Sequence, residues 1–185
     1  MPLTSVPELM DSAKQRGYAI GYFESWNVDS LQGVIDAAEM SHSPVIIGFN
    51  GGFLSQPGRC ASERLTWYGA LGSAAAASAS VPCGFIFNEC ADDEWVRQAI
   101  TAGFNLVMPV RADDETEAAY TRRVRAMTDY AHSHHVAVEA EVGTLPFGGD
   151  EDSGMGEMTD PERASAFVAA TKVDLLAVSV RNIHM

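Results

Sequence analysis

Acidic and amide side chains recur along this chain directly at the ends of apolar runs. Asn88 closes the run 82–88 (PCGFIFN) and Glu89 follows it. Asn50 follows 44–49 (PVIIGF), and Glu24 follows 18–23. Glu139 and Glu141 sit inside 136–142 (VAVEAEV), while Arg181 and His184 come after 175–180 (LLAVSV). Imidazole nitrogen and carboxylate oxygen are both zinc donors, and carboxylate is the harder of the two, better suited to magnesium or manganese. Glu139 and Glu141 are two residues apart, so on a strand both project from one face. Two carboxylates on a buried face are costly unless paired or bound to something. A metal ion would explain both, and Glu89 and His184 offer further donors. Asn88 can donate or accept hydrogen bonds but cannot transfer a proton at neutral pH, so its chemistry is the orientation of a hydroxyl. Arg181 has the planar fork that grips an anion; its ordinary alternative is a surface ion pair. Cys90 reads as a small buried thiol. His132, His134 and His135 end a helical segment, where histidine suits the dipole, and are read as structural.

The elements that must carry these groups alternate. Residues 9–17, 28–41, 62–80, 92–102, 115–134 and a segment opening at Thr159-Asp160-Pro161-Glu162 read as helices. In 28–41 the apolar residues Leu31, Val34, Ile35 and Ala38 have amphipathic spacing. Thr or Asp caps the last helix, with Pro in its first turn. Between the helices lie six short apolar runs: 18–23, 44–49, 82–88, 105–110, 136–142 and 175–180. Nearly continuous apolar runs suit parallel strands covered on both faces. Six β/α units give an open doubly wound sheet or a closed barrel. No G-x-G-x-x-G follows the first run, so a dinucleotide fold gains no support. Glu24, Asn50, Asn88, Glu89, Glu141 and His184 instead gather at several different strand ends, the habit of a (β/α)8 TIM-type barrel. The expectation is therefore one α/β domain over 1–185 with strands in sequential order. A full barrel has eight strands and ~250 residues. Six units in 185 residues suggest a barrel truncated by its last two units, as a fragment or as a chain completed by a partner.

Composition bounds the partners. The net charge is −13, with only two lysines, Lys14 and Lys172. Nucleic acid and anionic membrane surfaces demand a basic footprint and are excluded as main partners. No apolar run reaches the ~18 residues of a membrane span. Residues 1–17 contain Glu8, Asp11, Lys14 and Arg16 and no apolar signal core. Three cysteines without zinc-ribbon spacing suggest reduced thiols and a cytoplasmic protein.

The motifs, taken in order, resemble the class II (metal-dependent) fructose-bisphosphate aldolases, or more broadly the ketose-bisphosphate aldolases. GYAIGYF (17–23) is similar to a G-Y-A-V-G-A-F pattern, and TAGFNLVMP (101–109) to an A-G-F-x-x-V-M strand. VAVEAEVGTL (136–145) resembles V-E-A-E-L-G, and the segment from Thr159 resembles T-D-P-x-x-A-x-x-F. The resemblance covers nearly the whole chain. It implies a metal ligand at His184 and an alternative metal position at Glu141. It implies that Gly148-Gly149-Asp150-Glu151-Asp152 is a lid loop whose Glu151 removes the ketone's α-proton. Three motifs depart from the family pattern. The family's H-L-D-H-G becomes Ile86-Phe87-Asn88-Glu89-Cys90, with Asn88 for the acid/base Asp and Glu89 for a zinc His. The family's F-N becomes Phe23-Glu24, and its G-T-x-H-G becomes residues 181–185.

The resemblance implies a lyase that cleaves a small ketose or ketose phosphate through an enediolate. Its divalent metal would be zinc, with manganese or magnesium as alternatives because Glu89 replaces a His. On this reading Asn88 and Glu151 are catalytic. His184, Glu141 and Glu89 hold the metal, and Glu24, Asn50, Glu139 and Arg181 contact substrate. A homo-oligomer is the expected assembly. The competing reading is a catalytically lapsed, metal-free barrel that binds sugar-like ligands or partners.

Overall fold

The computed structural model describes residues 3–56, 58, 63–143 and 158–180. Six strands pair in parallel and in sequence order: β1 (Gly21–Glu24), β2 (Val45–Asn50), β3 (Cys83–Cys90), β4 (Leu106–Pro109), β5 (Ala137–Val142) and β6 (Leu175–Val178). The crossovers are helical. They are α2 (Val28–Ser41), the single turn α3 (Gly51–Leu54) with α4 (Leu65–Ser78), α5 (Asp93–Ala102), α6 (Glu117–Ser133) and α7 (Pro161–Thr171). A preceding helix, α1 (Val6–Arg16), lies at the N-terminal end of the strands.

Strand periodicity divides the apolar residues between two cores. Ile46, Ile86, Leu106, Met108 and Ala137 meet on the inner face, together with Val6 of α1. Ile47, Phe49, Phe85, Phe87, Val107, Val138 and Ala140 face outward to the helices. The six strands thus curl into a half-barrel with helices outside, as expected for the TIM-barrel class. Phe104 stacks on Phe85 with ring centroids 4.0 Å apart, filling the outer layer under α4 and α5.

Side chains fix the helix starts. Asn27 and Ser30 form a reciprocal capping box on α2. Asp92, Thr116 and Asp160 cap α5, α6 and α7 by accepting backbone N–H bonds. Of the two candidate caps of α7, Asp160 acts. Thr159 bridges strands instead: its Oγ1 donates to Val142 O at 3.1 Å and accepts Ser179 N at 2.8 Å. Asn105 stitches the floor of the half-barrel. Its Nδ2 donates to Thr4 O at 2.7 Å, and its Oδ1 accepts Phe85 N at 2.8 Å. Arg123 of α6 joins Glu115, Asp93 and Val110 O, each at 2.7 Å through its terminal nitrogens. Those bonds hold the Glu115 carboxyl below its usual range.

Candidate active site at the mouth of the half-barrel

At the C-terminal end of β1, Tyr22 and Glu24 point inward. Tyr22 packs against the inner core, and its Oη donates to Glu24 Oε2 at 3.2 Å. At the end of β2, Asn50 shares the inner register with Ile46 and divides its amide. Its Oδ1 accepts Phe53 N at 3.1 Å, which starts α3, and its Nδ2 donates to Glu89 Oε2 at 3.0 Å. Asn88, paired in register with Asn50, lies on the same face and is 8% exposed.

Alternation alone would turn Glu89 outward, away from Asn88. The register breaks between Phe87 and Cys90, and Glu89 has φ +53°, in the left-handed region. A bulge of this kind re-aims a side chain at a strand end. Cys90 then rejoins the outer core with its thiol buried. Glu89 thereby faces Asn50, and its charge acts on Glu139 across the half-barrel and on Tyr22.

On β5, Glu139 and Glu141 alternate with outward Val138, Ala140 and Val142. Burial pushes the Glu139 carboxyl above its usual range, and the nearby Glu89 charge adds to the shift. Tyr22 is pushed far up by burial, then by Glu24, Glu89 and Glu139. The backbone at Glu141 is held from outside: its N–H donates to Tyr120 Oη at 3.4 Å, and Tyr120 Oη donates to Pro109 O at 3.0 Å.

Four strands therefore deliver Glu24, Asn50, Glu89 and Glu139 to one electrostatic neighbourhood, with Asn88 and Glu141 on the same inner face. Tyr22, at its centre, escaped the sequence reading. Its signal was available, since it stands two residues before Glu24. Glu151, Arg181 and His184 lie outside the described residues. Among the described residues, no three His, Cys, Asp or Glu side chains stand close enough to hold a metal ion. The structural reading of the α6 histidines agrees with their contacts. His132 Nε2 pairs with Asp174 Oδ2 at 2.9 Å, and His134 Nδ1 lies 2.9 Å from Tyr130 O. An exposed aromatic pair, Trp26 and Phe53, stands over the β1–β2 side, edge to face with centroids 4.7 Å apart.

A parallel half-barrel with polar groups gathered from several strand ends defines an enzyme-type (β/α) scaffold. The family model for class II fructose-bisphosphate aldolase matches residues 4–185, and the chain belongs to that family. It is 33% identical over its full length to a Bacillus subtilis (strain 168) protein named "Probable fructose-bisphosphate aldolase", covering 64% of it. It is 32% identical to the fructose-bisphosphate aldolase of Thermus caldophilus, with 96% of this chain and 56% of that one covered. The crystal structure of the YdjI aldolase from Escherichia coli K12 superposes with a TM-score of 0.79 at 30% identity. That match covers 96% of this chain and 60% of the other. The chain thus spans a little under two thirds of the length of these relatives.

Proposed function

We propose that this chain serves a class II aldolase-type lyase reaction: reversible cleavage of a small ketose, phosphorylated at one end, through an enediolate. What carries the reading is the convergence of Glu24, Asn50, Glu89 and Glu139 at one strand-end mouth, in a chain whose family match runs over 4–185. The donor chemistry fits a divalent cation. Burial raises the Glu139 carboxyl and the Glu89 charge adds to the rise, a tension that a cation at the mouth would relieve. Glu89 and Glu141 would hold it with carboxylate oxygens, and His184 with an imidazole nitrogen. Zinc is the first candidate, with manganese or magnesium next because the described donors are oxygens. Such a metal supplies Lewis-acid polarisation of a ketone oxygen. The chain's own groups do the rest. Glu151 takes the proton from the carbon beside the ketone. Asn88 and Asn50 orient substrate hydroxyls, Glu24 and Glu139 accept hydrogen bonds from them, and Arg181 steadies an anionic group.

A second reading rests on Asn88. An amide where the family pattern has an acid cannot transfer a proton, which favours a barrel that binds sugars without cleaving them. Two further assignments belong to the proposal. Cytoplasm is the compartment, on the free thiols Cys83 and Cys90. Self-association is the assembly, on the exposed Phe23 and the apolar groove beside it. Among the described residues, no helix is long and apolar enough to cross a membrane.

The test is metal content after purification without chelators, followed by deuterium exchange into dihydroxyacetone phosphate. Bound metal and exchange are expected. His184→Ala should remove the metal, whereas Glu151→Gln should keep the metal and stop exchange. A metal-free protein with no exchange would leave the sugar-binding reading in its place.

A further inference from the structure

We propose that the β1–β3 side of the mouth is a subsite for the neutral, unphosphorylated end of a carbohydrate, with Trp26 and Phe53 stacking on its carbon face. The proposal rests on the aldolase-type reading and adds which end of the substrate lies here. The first observation is exposure. Trp26 and Phe53 are 59% and 48% exposed although they touch each other edge to face. Val28, 58% exposed, lies two residues beyond Trp26. Large apolar rings at a site mouth mark a ligand surface more often than they fill space.

The second observation is how the rings are mounted. Phe53 is anchored by Asn50, which uses its other end to hold Glu89. Trp26 follows Glu24 by two residues, and its backbone N–H donates to Ser30 Oγ at 2.9 Å. The aromatic pair and the polar groups are thus one construction, fixed by a single asparagine and a capping box. The third observation is charge. Glu24, Glu89 and Glu139 supply acceptor oxygens, and Tyr22 lies among them. The guanidinium of Arg64, at the start of α4, lies over the Trp67 ring, 5.3 Å from its centroid. Acceptor oxygens suit the O–H groups of a polyol, and an aromatic face suits its C–H groups. A phosphoryl dianion would meet like charge instead.

The experiment uses the 185-residue chain and two probes, D-glucose and D-glucose 6-phosphate, with binding read by ligand-observed NMR. D-glucose is expected to bind, and D-glucose 6-phosphate is expected to show its strongest saturation transfer at C1–C3, its unphosphorylated end, rather than at C6. Trp26→Ala should weaken D-glucose about tenfold, the scale of one aromatic contact. Trp67→Ala should leave binding unchanged. Strongest transfer at C6 of the phosphate, no binding of either probe, or indifference to Trp26→Ala overturns the subsite. Deuterium exchange into dihydroxyacetone phosphate, run on the same samples, separates the two failures. Exchange that persists while the probes fail sinks only the subsite. Loss of exchange with probe binding intact sinks the lyase reading and leaves a sugar-binding mouth.

Discussion

Glu89 occupies a backbone conformation that costs a non-glycine residue about 1–2 kcal/mol, and it does so beside another carboxylate. Asn50 offsets part of that cost by donating to Glu89 Oε2. The electrostatic consequence falls on Glu139, whose carboxyl is raised from 4.5 by burial and then by Glu89. The folded chain holds this proton to higher pH than the unfolded chain does. Without a metal, the Glu139 contribution to stability is therefore fully present below the unfolded value and is lost as pH rises through the raised one. Glu139→Gln should remove that part of the pH dependence and make the apo protein relatively more stable at neutral pH, as read by denaturant titrations at several pH values. Glu89→Gln should bring the Glu139 carboxyl back toward its ordinary value, as followed by carboxyl carbon NMR. An unmoved titration would contradict the coupling. Much at this scale was legible before the fold: period-two spacing put Glu139 and Glu141 on one face, and strand ends singled out Glu24, Asn50 and Asn88. The route by which Glu89 joins them was not. It depends on a register break, and nothing about glutamate marks a left-handed position in advance.

The order of helices and strands followed from caps and apolar runs, because those signals are local, but bounds moved: α1 starts at Val6 rather than residue 9, β1 is Gly21–Glu24 rather than 18–23, and β3 runs on to Cys90. The turn α3 was missed, since its start depends on Asn50 serving both as a strand end and as a cap. Helix-to-sheet approach distances were equally hidden in the sequence. A Cβ added at Gly72 of α4 would lie 2.1 Å from the Phe85 ring, which is itself pinned by Phe104 and Phe49. Gly33 of α2 has nothing within 4 Å of such an atom. The two glycines should respond in opposite directions. Gly72→Ala should destabilise by about 1–3 kcal/mol through overpacking. Gly33→Ala should stabilise by about 0.5–1 kcal/mol through helix propensity. Urea denaturation of both variants checks the contrast. A gain from Gly72→Ala like that from Gly33→Ala would mean that α4 does not sit as close to β3 as described.

For the molecule as a whole, strand order was legible because each crossover is helical and parallel neighbours then follow in sequence. The closeness of the inner carboxylates was not, because it requires the curl of the whole sheet. The curl leaves β1 and β6 as outer strands of the described sheet, with Phe23, Val178 and Val180 55%, 43% and 66% exposed. A groove of about 380 Å³ runs beside Phe23, lined by Val34, Ala37, Ala38 and Pro44. Apolar residues exposed along such a groove, at the edge of the described sheet, invite contact with another chain. Sedimentation velocity should show concentration-dependent association, and Phe23→Lys should shift it toward monomer. A wild-type monomer at every concentration would contradict self-association through these edges.

The stitch made by Asn105 has a consequence in time as well as in space. It binds Thr4 across 101 positions of chain, while Thr4 N also donates to Cys83 O. At ~5–20 residues per second, a ribosome needs roughly 5–20 seconds after making Thr4 to supply its partner. Through that interval α1 has no finished floor to close, and Val6 lacks the inner layer that buries it. Nascent chains stalled before Asn105 emerges should leave the first helix open to protease, and chains stalled beyond it should protect it. The helix α1 is made well before the asparagine that secures it, and the interval between the two is when a holdase has most to shield.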